Sequence, residues 1–540
     1  MRGLLTLLTL LTLAPIAAQA QIGPKPIGPT KPAPLKTPEW FVLDGSLRTR
    51  WGLYGNFDLD RGPTPSTGEP IFPVPLSDKQ LLGSADARLR LDLGIRVGEL
   101  VQANVRIDAL DGLVLGSTPE GFPQDRWAQT PWAGLGQRPP TSGRNAFIDS
   151  IRLEAAWGQV LTPIGALMFG RMPLPTWGLG LSTGNQDLLD DDFDQSVDRL
   201  GFVGSLGDHF LGVALDINAV GPTTATSTGG AVSREQLDLE FEDNLYTASV
   251  SFLRLHDDAS IARRRTARKP TLSYGSYAAF RWQLADFPSY YLGGIASEDA
   301  TFDDSDAVAR RLWSLLVDGW VEANLGPVRV EVEGAYLHAE VGDASLISSV
   351  SVPKLVGDQF AVAFEVEGEL ARDKVWLELG GTLASGDPAP GLGVAPPVGQ
   401  LGSQVGDLDG PQFDLADDHR IDNYRVHPGY RVDMIFWRRI VGGISDAFVL
   451  RPALTLRPNP TFDVEVAGIA SFALYASSTP GTGPVLGGEL DVRATWRPTP
   501  GFEARLEGAL FVPGAGLRND TLDVAAQPAG LARTVLAVVF

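Results

Sequence analysis

The side chains that could do chemistry are few and scattered. The five histidines, His209, His256, His338, His419 and His427, include no HExxH motif and no close pair that would hold zinc. His419 follows Asp417 and Asp418, where an Asp/His acid–base group could gather, but no GxSxG elbow supplies a nucleophile. The acid-rich runs Asp190–Asp194 and Asp303–Asp306 could hold calcium with loop carbonyls, yet neither has EF-hand spacing, and solvated loops are the simpler reading. There is no P-loop and no dinucleotide fingerprint. The absence of cysteine excludes disulfides, thiolate metal sites, a cysteine nucleophile and a lipidated N-terminal cysteine. No catalytic group, metal or cofactor is therefore assigned, and the chain is read as non-enzymatic. A net charge of −21 argues against nucleic acid as a partner.

Charge instead sits in a pattern of period two. In Ala87–Val97 the odd residues (Ala87, Leu89, Leu91, Leu93, Ile95, Val97) are apolar, while Arg88, Arg90, Asp92 and Arg96 fall between them. Val328, Val330 and Val332 alternate with Arg329, Glu331 and Glu333; Phe364, Val366 and Leu370 alternate with Glu365, Glu367 and Glu369. Leu490 and Val492 alternate with Asp491 and Arg493. Such alternation means strands with one apolar and one charged face. A soluble sandwich shares it, but many of these segments run ten or more residues, enough to cross a bilayer at a tilt. Short connections, such as Gly98-Glu99, Gly207-Asp208, Gly326-Pro327 and Arg372-Asp373, also trade places with long ones at 60–82, 116–143, 173–197, 284–308 and 386–445. Short turns on one side and long loops on the other are the habit of outer-membrane barrels.

The expected fold is all-β: a transmembrane up-and-down antiparallel barrel over 40–540, with about eighteen strands (16–18) and long external loops. An even count puts both termini in the periplasm. Residues 236–254 read as one strand, and Arg431–Val441, with Val432, Ile435, Phe436 and Ile440 at helical spacing, as a short helix in an external loop. The 386–445 connection is long enough to fold inward as a constriction or lid, or to lie on the surface. Trp51, Trp157, Trp282, Trp320, Trp376 and Trp496 would anchor the barrel at the membrane interfaces.

The first residues predict export. Arg2, an apolar run from Leu4 to Ala18, and Ala18-Gln19-Ala20 make a signal peptide over 1–20, cleaved near Ala20. Residues 21–39 form a proline-rich periplasmic linker. The chain ends in LARTVLAVVF, and a terminal Phe540 on a final strand resembles the signal read by the outer-membrane assembly machinery. Outer-membrane lipid and that machinery are the expected partners, and the outer membrane of a Gram-negative bacterium is the expected location.

The segment Phe169–Leu200 (FGRMPLPTWGLGLSTGNQDLLDDDFDQSVDRL), with Asp111–Pro123 and Tyr430–Ile440, resembles a family of uncharacterised outer-membrane barrels over most of the mature chain. That family looks distantly similar to alginate-export porins. The resemblance implies an outer-membrane location and an eighteen-strand barrel rather than a particular solute.

A barrel of that width holds an aqueous channel unless something fills it, and its charged faces should point inward. The residues expected to line the lumen are Arg88, Arg90, Arg96, Arg106, Arg152, Arg493, Arg497 and Arg505 from the early and late strands. Glu331, Glu333, Glu365, Glu367, Glu369 and Glu378 come from the middle. Closure would gather the arginines into one wall opposite the glutamates, so as to orient a charged solute; mutual salt bridging that stiffens the barrel is the alternative. The functional expectation is a porin-like channel or exporter for small or polymeric solutes. A closed structural or surface-display barrel with partner-binding loops is the alternative, and a barrel-borne hydrolase a third reading.

Overall fold

The structure, a computed structural model, describes residues 40–540 apart from 67, 69–79, 115–150, 185–188, 191, 193–194, 229–230, 239, 257–259, 262, 265–266, 268, 289–304, 347, 395–402, 411 and 413–417. The signal peptide and linker expected over 1–39 lie outside the described residues.

The strands are β1 (Phe41–Gly55), β2 (Leu81–Val97), β3 (Val101–Val114), β4 (Ile151–Thr162), β5 (Gly165–Pro173), β6 (Ser196–Leu206), β7 (His209–Ala219), β8 (Thr223–Thr228), β9 (Ala231–Asp238) and β10 (Leu245–Arg254). They continue as β11 (Thr271–Gln283), β12 (Leu312–Leu325), β13 (Val328–Val341), β14 (Leu355–Ala371), β15 (Val375–Ala384), β16 (Ala447–Asn459), β17 (Phe462–Ala473), β18 (Val485–Trp496), β19 (Phe502–Pro513) and β20 (Ala529–Val539). All but β8 and β9 form one 18-stranded antiparallel sheet in which each strand pairs with its sequence neighbours. The last strand pairs with the first, Ser46 opposite Val539 through Gly55 opposite Gly530, so the sheet is a closed barrel. Closure leaves the 18-stranded sheet without a free edge.

The period-two pattern decides the faces. On β1, Ser46, Arg48 and Arg50 are buried while Leu47, Trp51 and Leu53 are exposed. On β20, Arg533, Val535 and Ala537 are buried while Leu536 and Val538 are exposed. Leu211, Val317, Phe360, Leu377, Leu454 and Leu490 continue the exposed apolar band around the barrel. Charges go inward, because a charge on the lipid face costs about 2–4 kcal/mol near the bilayer midplane.

The connections alternate as expected except between β10 and β11, which meet at the rim of the short turns but are separated by residues 255–270. Residues 98–100, 163–164, 207–208, 326–327, 372–374 and 460–461 close one rim; the chain leaves β1, β5, β11 and β15 for its long connections at the other. The chain enters and leaves the barrel on the short-turn rim. Gly98, Gly207 and Gly326 adopt positive φ in these turns (66°, 63° and 77°), which glycine does without Cβ strain.

Three local expectations are corrected. Residues 236–254 are not one strand: β9 pairs only with β8, as a separate hairpin, and the barrel resumes at Leu245. The alternation of Leu237, Leu239 and Phe241 matches a strand but carries no information about which neighbour it pairs with. The short helix expected at 431–441 is present but limited to one π-helical turn, Phe436–Val441, and what is corrected is its setting, since it is buried against the barrel's inner wall rather than exposed. Its apolar residues follow helical spacing because the turn is enclosed, not because a long helix forms. Trp320 and Trp376 are buried rather than at a lipid interface; Trp320 Nε1 donates to Glu331 (2.8 Å), and Trp376 lies under the Arg457 guanidinium, 4.6 Å from its ring centroid.

Candidate functional site

The charges of the inner face are paired mostly with near neighbours on the wall. Arg90 holds Asp108 through two bonds (2.8 and 2.6 Å), and Arg106 holds Asp92 (2.7 Å). Arg493 bonds Glu507 (2.9 Å); Arg497 bonds Glu503 and Asp463 (2.8 and 2.5 Å); Arg505 also holds Glu503. Acids are thus interleaved with the arginines of the early and late strands. The mid-chain glutamates have cations of their own. Arg329 lies among Glu331, Glu365 (3.1 Å) and Glu367 (3.7 Å), and Arg451 joins Glu378 (3.0 Å) to Glu465 (2.5 Å). Arg88 is buried opposite Arg48, while Arg96 stands opposite Gln102 near a turn. Arg152 lies opposite Asp108 and is exposed, and Glu369 accepts the Asp373 N–H (2.6 Å) at the short-turn rim.

Inside this wall lie two long-rim loops, each held by one wall glutamate. Glu333 on β13 accepts the backbone N–H groups of Leu179, Gly180 (2.9 Å) and Leu181 (3.1 Å), and Asp318 on β12 takes Trp177 Nε1 (3.0 Å) and Ser182 Oγ (2.7 Å). Glu489 on β18 does the same for the 385–446 loop, accepting Met434, Ile435 and Phe436 N–H at 2.9, 2.8 and 3.1 Å. A carboxylate that gathers successive N–H groups supplies the acceptors that an irregular inward segment otherwise lacks. Apolar contacts complete the docking. Phe436 stacks on Phe511 of β19 (centroids 4.9 Å apart), and Trp437 Nε1 donates to Ser471 (2.9 Å). Tyr430 meets Thr382 (2.7 Å), and Asp433 takes the Trp437 N–H (2.8 Å) with its carboxyl pushed well up by burial beside Glu489. Burying large side chains such as these is worth about 1.5–3 kcal/mol each.

The two loops meet. His427 N–H donates to the Leu181 carbonyl (2.9 Å), and burial pushes the His427 imidazole down to about 4. Asp190 then joins both loops to the barrel's seam: Arg50 on β1 (3.1 Å), Arg533 on β20 (2.9 and 2.5 Å), and Arg431 (3.1 Å) and Arg438 on the 385–446 loop all reach it. Burial alone would raise the Asp190 carboxyl, but Arg438, Arg533 and Arg431 outweigh it and hold the group well below the usual range. Asp192 takes Arg50 (2.6 Å) and Arg48. Leu189 packs with Ala537 and Val539, so the inner face of the last strand has an apolar partner there.

Sequence reasoning did not single out Arg48, Arg50, Arg431, Arg438, Arg533 or Glu489. Alternation along β1 could have flagged Arg48 and Arg50, but nothing in the sequence joins Arg533 to Asp190, 343 residues away. The acid run at 190–194 was visible; its described members Asp190 and Asp192 pair with arginines. His419 contributes its carbonyl to Val356 N–H (3.0 Å), and Asp417 lies outside the described residues.

A closed antiparallel barrel with an apolar exterior, a charged interior and loops folded into it defines a transmembrane β-barrel. No family model matches the sequence, and a search of curated proteins finds no relative. Among solved structures the chain is similar to OccK11 (OpdR) of Pseudomonas aeruginosa (8% identity, TM-score 0.46, covering 92% of this chain and 96% of that one). It is also similar to a BenF-like porin from Pseudomonas fluorescens Pf-5 (8% identity, TM-score 0.45, covering 93% and 99%) and to OmpT of Vibrio cholerae (10% identity, TM-score 0.38, covering 94% and 100%). These are general likenesses of shape; the barrel assignment rests on the closed strand register.

Proposed function

We propose that this chain is a porin-like channel of the outer membrane whose lumen is narrowed by two inward loops and which passes small solutes. The observation that carries the reading is the contrast between wall and filling. Eighteen strands make a perimeter wide enough for water. What occupies the lumen is irregular chain pinned by the side chains of Glu333, Glu489 and the Asp190 arginines. Segments held this way can move without any strand leaving the barrel.

The resemblance to alginate-export porins would extend the solute to polyuronates. A lumen crossed by two loops favours small solutes over threaded polymers. The N-terminal export signal and the terminal Phe540 support delivery to the outer membrane by the barrel-assembly route. A closed barrel is the second reading, supported by the apolar cluster that Phe436, Trp437, Ile440 and Leu392 form with wall residues such as Ala447, Val449 and Ile469.

Planar-bilayer conductance of the refolded protein tests the reading, alongside a variant in which residues 388–444 are replaced by a short glycine-serine linker. Small or flickering steps from the native chain and large steady steps from the variant are expected. A folded, heat-modifiable variant without conductance rejects the channel.

A further inference from the structure

Acids gather where the β8–β9 hairpin rejoins the barrel. β9 ends at Asp238, and Glu240, Glu242, Asp243 and Asn244 lie on the short leg that leads to β10 at Leu245. Asp238, Glu240 and Glu242 alternate with apolar residues in the sequence, but the strand has ended, so no sheet face accounts for the acids beyond it. Asp243 and Asn244 are buried, at 2% and 3% exposure. Neither oxygen of the Asp243 carboxylate receives a hydrogen bond of ordinary geometry, and Asn244 Oδ1 receives none. Buried carboxylate and amide oxygens are costly to leave without a partner, so three of them in one place point to a ligand.

The ligand is positively charged. Burial first, then Asp238, pushes the Asp243 carboxyl up to about 6, Glu240 and Asp286 add to the rise, and the Gly221 N–H offsets only part of it. Among the described residues no arginine or lysine pairs with Asp238, Glu240, Glu242 or Asp243, while Asp286 holds Arg310 (2.8 Å). Asn244 ties the group together: its Nδ2 donates to Asp238 Oδ2 (2.6 Å) and to the Tyr246 hydroxyl (3.1 Å), which leaves Oδ1 as the acceptor. The opposite leg of the hairpin keeps the space open, because a Cβ on Gly221 would lie 2.0 Å from Asp243 Oδ2. Gln283 Nε2 holds the Asp243 carbonyl (2.7 Å), and the Leu284 and Ala285 N–H groups hold that of Glu242 (3.0 and 2.9 Å). The leg is thereby fixed to the end of β11 before any ion arrives.

We propose that Asp243, Asn244 Oδ1 and Asp238 form a calcium site that fastens the base of the β8–β9 hairpin to the long-loop rim of the barrel. Carboxylate and amide oxygens are the ligands that hard cations take, and calcium accepts about six to eight of them in irregular geometry, so backbone carbonyls and water can complete its shell. Magnesium demands a stricter octahedron and gives up its water reluctantly. No three carboxylate or histidine groups among the described residues converge as a metal cage, so two carboxylates and one amide are the side-chain share. With so few charged ligands, the affinity belongs with extracellular calcium modules, at about 0.1–1 mM. The site stands whether or not the lumen conducts.

The test uses the full refolded chain in detergent micelles at neutral pH, with terbium(III) as a luminescent stand-in for calcium. Tyr246, beside Asn244, stacks on Trp282 (centroids 5.5 Å apart), so an ion in this site is sensitised by tryptophan excitation. Calcium is expected to displace the sensitised emission, and magnesium to do so only at least about ten-fold less effectively. Trp282→Phe should lose most of that emission while keeping its calcium affinity by calorimetry. Asp243→Asn should bind calcium at least about ten-fold more weakly than the native chain, with a smaller loss for Asp238→Asn. Calcium should also slow trypsin cleavage at Arg234 on β9 in the native chain and not in Asp243→Asn. No calcium binding, unchanged affinity in both carboxylate variants, or undiminished emission in Trp282→Phe overturns the site. Equal displacement by magnesium overturns the calcium assignment, and cleavage at Arg234 that ignores calcium overturns the fastening. Should Asp243→Asn not refold, as judged by heat-modifiable mobility, Asp238→Asn carries the test with the same sign, and unchanged affinity there overturns it.

Discussion

Arg533 and Asp190 form a two-pronged ion pair across 343 residues of sequence, at 2.9 and 2.5 Å, with both side chains almost fully buried. The same guanidinium uses its Nε for Glu507 (2.6 Å), so one arginine on the closing strand ties together the seam, a neighbouring strand and an inward loop. Removing one partner of such a pair leaves the others buried and uncompensated. Arg533→Leu is therefore expected to destabilise the barrel by about 3–5 kcal/mol. Arg533→Lys, which keeps the charge but loses the fork, should cost less. Urea midpoints followed by tryptophan fluorescence in micelles measure both; midpoints matching the native chain would remove this pair from the account of the seam.

Glu489 does for the 385–446 loop what Glu333 does for the 174–195 loop: each gathers three consecutive backbone N–H groups. Hydrogen bonds to a charged group contribute about 1.5–3 kcal/mol each. Glu489→Ala should thus loosen Phe436–Val441 from the wall while leaving the strand ladder intact. Trypsin is the readout, because Arg438 and Arg439 lie within that turn. Cleavage at these arginines should accelerate strongly in the variant, with heat-modifiable mobility retained until cleavage. Equal cleavage rates would mean that the loop is held by its apolar contacts alone.

The outward band makes a separate prediction. Leu490 lies near the middle of β18 on the exposed face, between Glu489 and Asp491 on the inner face. Leu490→Arg should cost about 2–4 kcal/mol in lipid bilayers and much less in a soluble environment. Unfolding in liposomes gives the number. A negligible cost there would mean that this face does not meet lipid.

Much of this was legible in the sequence, and the limit has a physical cause. A barrel wall is written locally: alternation in Ala87–Val97 or Leu490–Arg493 reports which side each residue faces, whatever the neighbours are. The short turns, most of them with glycine or proline where the chain reverses, fix the strand order once each strand pairs with the next. What fills the barrel is not written locally. The contacts of Glu489 with Met434–Phe436, or of Asp190 with Arg50 and Arg533, join segments that share no period and no spacing. Whether 386–445 lies inside or outside was therefore open until the wall supplied the partners. The same reasoning explains Trp320 and Trp376: a tryptophan on a strand is equally compatible with a lipid interface and an inner face, and only its register decides.

Two buried groups on the 385–446 loop give opposite pH dependences. His427 is pushed down to about 4 by burial, from an ordinary value of 6.5. Between these values the undocked loop binds a proton that the docked loop does not, so docking weakens as pH falls from 6.5 toward 4, by at most about 3 kcal/mol. Asp446 is pushed up to about 7 by burial, from 3.8, with Ser478 Oγ and the Tyr475 N–H as its hydrogen-bond donors. Here the docked form holds the proton that the undocked form has lost, so docking weakens as pH rises from about 4 to about 7. In the native chain the two slopes oppose each other over most of that range and the net dependence is shallow. His427→Gln should remove the acid-side loss and leave stability that declines with rising pH; Asp446→Asn should leave stability that declines with falling pH. Urea midpoints from pH 4 to pH 8 for the three proteins resolve the two contributions as differences from the native curve. Parallel curves for all three would show that neither group changes protonation when the loop docks.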